Sequence, residues 1–211
     1  MIRRRRTSVS VRRAWAAGLP AKILNSQAAM ALITPRADRI IDLVDLRPGK
    51  RYVDLGCGTA AYAHLLADRA GMESPPLALD LAPGPGPVDA LAWPERLPLA
   101  DRSVDALSCF YLVRRFDDDV VHGLGGEISR VLAPGGRALV MEVAPVISRR
   151  LDAFHRKLLS PGCGTVDLRG WGRLAALFTD CGFDAIDLVN VGPFLVPPIP
   201  RVAVLLRRAP G

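Results

Sequence analysis

Apolar and polar positions alternate along this chain in two rhythms. Four short, nearly continuous apolar runs read as buried strands: "RYVDL" at 51–55, "PPLALDL" at 75–81, "SVDALSCFYLV" at 103–113 and "RALVMEV" at 137–143. Between them, apolar residues recur at helical spacing. Ile40, Leu43 and Val44 form one face of a helix that "RPGK" stops, with Thr34-Pro35 as its N-cap and first turn. "AAYAHLLADRA" at 60–70 predicts a helix with Leu65, Leu66 and Ala70 inward, ended by Gly71. Val120, Leu124, Ile128 and Val131 make a stripe along "DDDVVHGLGGEISRVL", although Gly123, Gly125 and Gly126 each cost roughly 1 kcal/mol against alanine. "APGG" ends that helix. A polar, glycine-broken stretch covers 148–170, and "GWGRLAALFTDCG" predicts a helix with Trp171, Leu174, Leu177 and Phe178 on one face. "FDAIDLVNV" and "PRVAVLLRR" close the chain as two strands, while 14–33, broken by Gly18-Leu19-Pro20, reads as one or two short helices.

Strands alternating with helices predict an α/β fold, a parallel sheet with helices on both faces. The loop between the last two strands, "GPFLVPPI", is too short for a helical crossover, so those strands should pair antiparallel. Right-handed crossovers and the switch-point rule put a ligand at the carboxyl ends of the early strands. "VDLGCGTA" at 53–60 lies there.

Composition narrows the class. The chain has 211 residues, half of them apolar and 23% charged, a globular profile suited to one domain with a full core. No apolar run approaches the roughly 20 residues of a membrane span. The net charge of +7 concentrates at the start, in Arg3, Arg4, Arg5, Arg6, Arg12 and Arg13. Such an arm can hold nucleic acid, an anionic membrane surface or an acidic partner, or it is a solvated tail. No apolar signal core follows it, so a cytoplasmic protein is expected. Cys57, Cys109, Cys163 and Cys181 have neither CxxC nor zinc-like spacing, so reduced, mostly buried thiols and no metal site are expected.

The glycine segment admits three readings: a tight turn, a phosphate cradle, or a cradle for another cofactor. No Gly-Lys-Ser or Gly-Lys-Thr supports a nucleotide phosphate loop, and Gly56-x-Gly58 is followed by Thr59, Ala60 and Ala61 rather than the third glycine of a dinucleotide fingerprint. Asp54 precedes the first glycine and Asp80 ends the next strand. An acid at Asp80 can grip both hydroxyls of a ribose, and glycines let the main chain approach a bulky ligand. A carboxylate at Asp54 repels pyrophosphate, so the ligand should carry a cation and a ribose.

Together with "LALDL", "ERLPLADRSVDALSCFYLVRRFDD" and "EISRVLAPGGRALVMEV", these residues resemble the class I S-adenosylmethionine-dependent methyltransferases, in the small-molecule branch that includes the ubiquinone/menaquinone type. The resemblance covers 36–143 closely and 170–208 loosely. It implies a Rossmann-like three-layer sandwich, with a seven-stranded, mostly parallel sheet whose last strand is antiparallel. S-adenosylmethionine would be the cofactor and S-adenosylhomocysteine the product. Asp54, Gly56 and Gly58, with Cys57 inside the bend, would surround the methionine half, Asp80 the ribose and Leu81 the adenine; Cys109 would border the cofactor. Three departures stand out: Ala60 replaces the third glycine, Trp93-Pro94 occupies the place of an adenine-binding acid, and Arg114-Arg115 replaces a histidine pair. Asp89 swinging in or Trp93 stacking would then meet the adenine.

Methyl transfer from a sulfonium is an in-line displacement, so positioning and desolvation dominate, with a base needed for some acceptors. Tyr111 is the first candidate to line the acceptor site, against a packed aromatic. Glu142 reads as a base or as a structural hydrogen-bond partner. His155, in the polar stretch, reads as a general base or a solvated histidine. Arg114 reads as a contact for an acidic substrate, or as a surface charge paired with Asp117 or Asp118; His64 and His122 read as surface or helix-end residues. The expected acceptor is a small hydrophobic or acidic molecule, with 1–34 as basic arm and cover helices, 35–211 as the main domain and 144–168 as a cover insert. A nucleic-acid or protein methyltransferase using the arm, and a non-methylating binder of the cofactor, are the alternatives. The Asn/Asp-Pro-Pro-aromatic signature of nucleic-acid amine methylation is missing, with "SCFY" in its place, so nucleic acid is disfavoured. A monomer or homodimer is expected.

Overall fold

The computed structural model describes residues 36–83, 88–159, 166–193 and 199–211. The basic arm, the 14–33 segment, Thr34-Pro35, Cys163 and most of the last interstrand loop lie outside the described residues. The described elements are α1 (Ala37–Val44), β1 (Tyr52–Leu55), α2 (Ala61–Arg69), β2 (Leu77–Asp80), β3 (Ala90–Leu91), β4 (Val104–Phe110), α3 (Asp118–Val131), β5 (Leu132–Val143), α4 (Arg149–Leu159), α5 (Trp171–Ala176), β6 (Ala185–Leu188) and β7 (Arg201–Arg207). A 3-10 turn, Val113–Arg115, follows β4.

The strands form one seven-stranded sheet in the order β3-β2-β1-β4-β5-β7-β6. β1 to β5 pair in parallel, whereas β7 runs antiparallel between β5 and β6, as the short final loop required. After β3 the chain crosses to the other side of β1, so the strand order reverses between β1 and β4, the switch point outside whose carboxyl ends open α/β sheets bind ligands.

Both sheet faces are apolar. Tyr52, Ala106, Leu139, Met141 and Leu205 pack with Ile40 and Val44 of α1 and Leu66 of α2. Val53, Leu107, Cys109 and Val140 pack on the opposite face with Val121, Leu124 and Ile128 of α3 and Leu174 of α5. Each fully buried leucine or isoleucine contributes roughly 1.5–3 kcal/mol, which holds the three layers together.

Details differ from the sequence pattern where packing decides. The inward face of α2 is Ala63, Leu66 and Ala67, with Leu65 and Ala70 only partly buried. The stripe of α3 begins at Val121 rather than Val120, after Asp117 caps the helix by accepting the Val120 N–H at 3.0 Å. Gly125 has a packing reason: a Cβ there would meet Cys181 Sγ at 2.8 Å and Phe178 Cδ1 at 2.9 Å. The register passes from Val104 opposite Leu132 to Ala106 opposite Arg137, so "APGG" bulges out of β5. The polar stretch contains a helix, α4, braced by Arg156 on Asp152 at 2.6 Å. Among the described residues, no helix is long and apolar enough to cross a membrane, and no cluster of His, Cys, Asp and Glu could hold a metal ion.

Candidate active site

Between β1 and α2 the chain turns through Gly56 (φ +78°), Gly58 (φ +57°) and Ala60 (φ 57°). The N–H groups of Gly56 and Cys57 donate to Leu79 O at 2.8 and 3.1 Å, which lashes the bend to β2. A Cβ on Gly56 would lie 3.0 Å from the Leu112 side chain, whereas one on Gly58 would meet nothing within 4 Å. The Gly58 main chain therefore borders open space. Its N–H donates to Asp80 Oδ2 at 2.9 Å, and Asp80 Oδ1 accepts the Leu81 N–H at 2.6 Å. Each carboxylate oxygen keeps further acceptor capacity. Ala60 takes the left-handed conformation that a third glycine would adopt without strain.

Asp54 lies one strand away from Asp80, buried beneath the bend. Its Cα partner in β4, Ser108, donates a hydrogen bond to Asp54 Oδ1, and Ser108 Oγ lies 2.8 Å from Tyr52 Oη. Burial pushes the Asp54 carboxyl up to about 6; the Ser108 hydrogen bond pulls it down and the Asp80 charge pushes it up. Two acids at adjacent strand ends favour a cation between them.

The other expected cofactor contacts divide. Cys57 is partly buried in the bend, its thiol pushed up to about 12, first by burial and then by Asp80 and Asp54, so it stays protonated. Cys109 does not join the bend: it is fully buried in the α3 layer, and burial holds its thiol well above the usual range. Leu81 packs on the edge of that layer. Asp89 is engaged with β2, its carboxylate accepting the Ala78 N–H at 2.8 Å and its own N–H donating to Ala78 O at 2.8 Å, which seats β3. Trp93 stands 55% exposed just beyond β3, bridged to Arg96.

Tyr111 follows β4 with φ 57°. Its Oη accepts from Arg201 Nη1 at 3.2 Å and donates to Met141 Sδ at 3.8 Å. Burial raises the phenol pKa and Arg201 lowers it, with a net rise, so the hydroxyl keeps its proton. Arg201 opens β7 opposite Val143, at the carboxyl end of β5, and is itself buried. Val143, Val166, Leu168 and Ile199 form a small apolar cluster that Tyr111 packs against.

Glu142 and Arg114 pair with one another. Arg114 Nη1 lies 3.0 Å from Glu142 Oε1, the Arg114 N–H donates to Oε2 at 3.1 Å, and the Val143 N–H donates to Oε1 at 2.9 Å. Glu142 is thus a structural acceptor, and Arg114 is buried rather than a surface partner of Asp117 or Asp118. Asp118 instead accepts from Arg169 Nε at 2.8 Å and from Arg173. Arg169, fully buried, also donates to Val113 O and Phe116 O and so fixes the turn after β4. His155 lies on the buried side of α4, not in solvent, and its Nδ1 is buried without a hydrogen-bond partner. His122, on the exposed surface of α3, has Nδ1 3.0 Å from Leu177 O. The sequence reading passed over Ser108, Arg169 and Arg201; a polar residue in an apolar strand was the available signal at Ser108.

Residues 53–140 match the family described as a methyltransferase domain. The chain is 35% identical over 119 residues to demethylmenaquinone methyltransferase of Deinococcus radiodurans, covering 51% of this chain and 48% of that protein. It is 26% identical over 185 residues to the protein of the same name from Bacillus cytotoxicus, covering 72% of this chain and 76% of that one. The first of these matches therefore spans about half the length of the curated relative. Geranyl diphosphate C-methyltransferase of Streptomyces coelicolor, solved with Mg2+, geranyl diphosphate and S-adenosyl-L-homocysteine, has the same fold, with a TM-score of 0.62 at 13% identity over 85% of this chain and 80% of that chain. The match over residues 53–140, the strand order and the acid-flanked bend together make this part of the chain similar to a methyltransferase domain.

Proposed function

We propose that the protein transfers a methyl group from S-adenosylmethionine to a small hydrophobic acceptor of the quinone type, leaving S-adenosylhomocysteine. The observation that carries this reading is the placement of Asp54 and Asp80 on either side of a glycine bend whose main chain, at Gly58, borders open space. A buried carboxylate suits a cationic ligand, and the free lone pairs of Asp80 suit ribose hydroxyls. Leu81, with Trp93 or Asp89, would complete the adenine side.

The bound cofactor supplies an electrophilic methyl on a positively charged sulfur. The chain contributes position and desolvation. Tyr111 and its apolar neighbours would wall the acceptor side, and the protonated Tyr111 hydroxyl suits orienting an acceptor oxygen rather than deprotonating it. With Glu142 committed to Arg114, His155 is the candidate to take a proton. In this reading 144–168, with α4 at its centre, covers the acceptor, and residues 1–34 flank a domain of 35–211. A cytoplasmic location and peripheral membrane contact through the arginine arm belong to the same proposal. The names of the two curated relatives support the acceptor class.

The test is transfer of tritium from methyl-labelled S-adenosylmethionine into an organic-soluble product, with a demethylated naphthoquinone supplied in its reduced quinol form and a water-soluble catechol compared as acceptors. Label in the quinone supports the acceptor class. Label only in the catechol, or in neither, rejects it.

A further inference from the structure

Three buried side chains beneath the bend form a directed run of hydrogen bonds. Tyr52 and Asp54 alternate onto one face of β1, and Ser108 sits opposite Asp54 in β4. Their exposures are 4%, 7% and 0% respectively. Ser108 Oγ has one proton to give, and it goes to Asp54 Oδ1. The same oxygen is then left to accept from Tyr52 Oη, 2.8 Å away. All donors therefore point one way, from Tyr52 through Ser108 to the carboxylate. The titratable groups around Asp54 are Asp80 on β2, Cys57 in the bend, Tyr52 on β1, Cys109 on β4 and Tyr62 on α2. Asp80 opposes a second negative charge, and the thiols and phenols stay neutral. The Ser108 hydrogen bond works against both burial and Asp80.

We propose that Ser108, oriented by Tyr52, is a positioning residue that keeps Asp54 ionised and thereby sets the pH range over which the bend binds a cationic nucleoside. The proposal rests on the cofactor reading above. It assigns a role to two residues that need not touch the ligand.

Calorimetric titration of S-adenosylhomocysteine into the full chain, from pH 5 to 8.5, tests it. In the parent protein, affinity should fall as pH drops through about 6. Ser108→Ala should move that midpoint up by about one pH unit, which is about a fivefold loss of affinity at pH 6, approaching about tenfold at pH 5, and little loss at pH 8.5. Tyr52→Phe should move it the same way by less, and it carries the test if Ser108→Ala does not fold. Ser108→Thr, which restores a hydroxyl, should return the midpoint toward the parent value. A loss of affinity equal at every pH, with the midpoint unmoved in both Ser108→Ala and Tyr52→Phe, makes the run a packing feature and overturns the proposal. No binding by the parent at any pH overturns the cofactor reading itself and the proposal with it.

Discussion

Arg114 and Glu142 form an ion pair in the interior, Nη1 to Oε1 3.0 Å, that ties the turn after β4 to the end of β5. Two groups with the chemistry for catalysis or substrate binding are spent on each other, and the pair fixes the turn after β4 against β5.

Removing one partner leaves the other charge buried. Glu142→Ala should therefore lose about 3–5 kcal/mol of unfolding free energy in urea, and the double replacement Glu142→Leu with Arg114→Met should lose much less. A single variant within 1 kcal/mol of the parent, by the same urea measurement, would contradict the buried pair.

The bend makes unequal demands on its small residues. Gly56 has φ +78° and Leu112 at 3.0 Å from any added Cβ, so Gly56→Ala should cost about 1–2 kcal/mol from backbone strain alone, and more from the contact. Ala60 already bears left-handed strain, but its methyl is buried. In Ala60→Gly, relief of about 1–2 kcal/mol is offset by lost burial of about 0.8 kcal/mol and by chain entropy, leaving stability nearly unchanged. Thermal unfolding of both variants checks the contrast.

Asp54 makes ligand-free stability depend on pH. Its carboxyl is raised from 3.8 to about 6 by burial, so the native state holds the proton more tightly than the unfolded chain. The contribution is fully present below the unfolded value and is lost as pH rises through 6, a change on the order of 3 kcal/mol. Asp54→Asn should gain stability relative to the parent between pH 4 and 7. A difference constant across that range, in urea unfolding at several pH values, would refute the assignment.

Much of this was readable from the residue pattern, and the exceptions have physical causes. β1, β2, β4 and the end of β5 were legible because parallel strands buried on both faces are continuous apolar runs. The antiparallel β7 followed from a loop too short for a crossover. β3 was not legible: two residues carry no periodicity, and Asp89 seats them on Ala78. α4 was hidden because its inner surface includes His155 and its stabilising Asp152–Arg156 pair is polar. At the site, the bend and its two acids were visible as a local string. Arg201 and Arg169 were not, because their partners lie on elements distant in the chain, and Ser108 showed only as a polar residue in an apolar strand.

In the proposed function, His155 is the residue assigned to take a proton from the acceptor. His155→Gln should lower methyl transfer by about 100-fold or more to an acceptor that must lose a proton, with S-adenosylhomocysteine affinity unchanged. Steady-state rates beside calorimetric affinities separate the two effects, and an unaltered rate removes His155 from the chemistry.

The central claim is that the bend at 54–58 and Asp80 grip a cationic sulfur nucleoside. A crystal structure of the protein soaked with S-adenosylhomocysteine tests it most directly. The account predicts the ribose on Asp80 and the amino group on the Asp54 side of the bend. A ligand bound elsewhere, or none at saturating concentration, would contradict it.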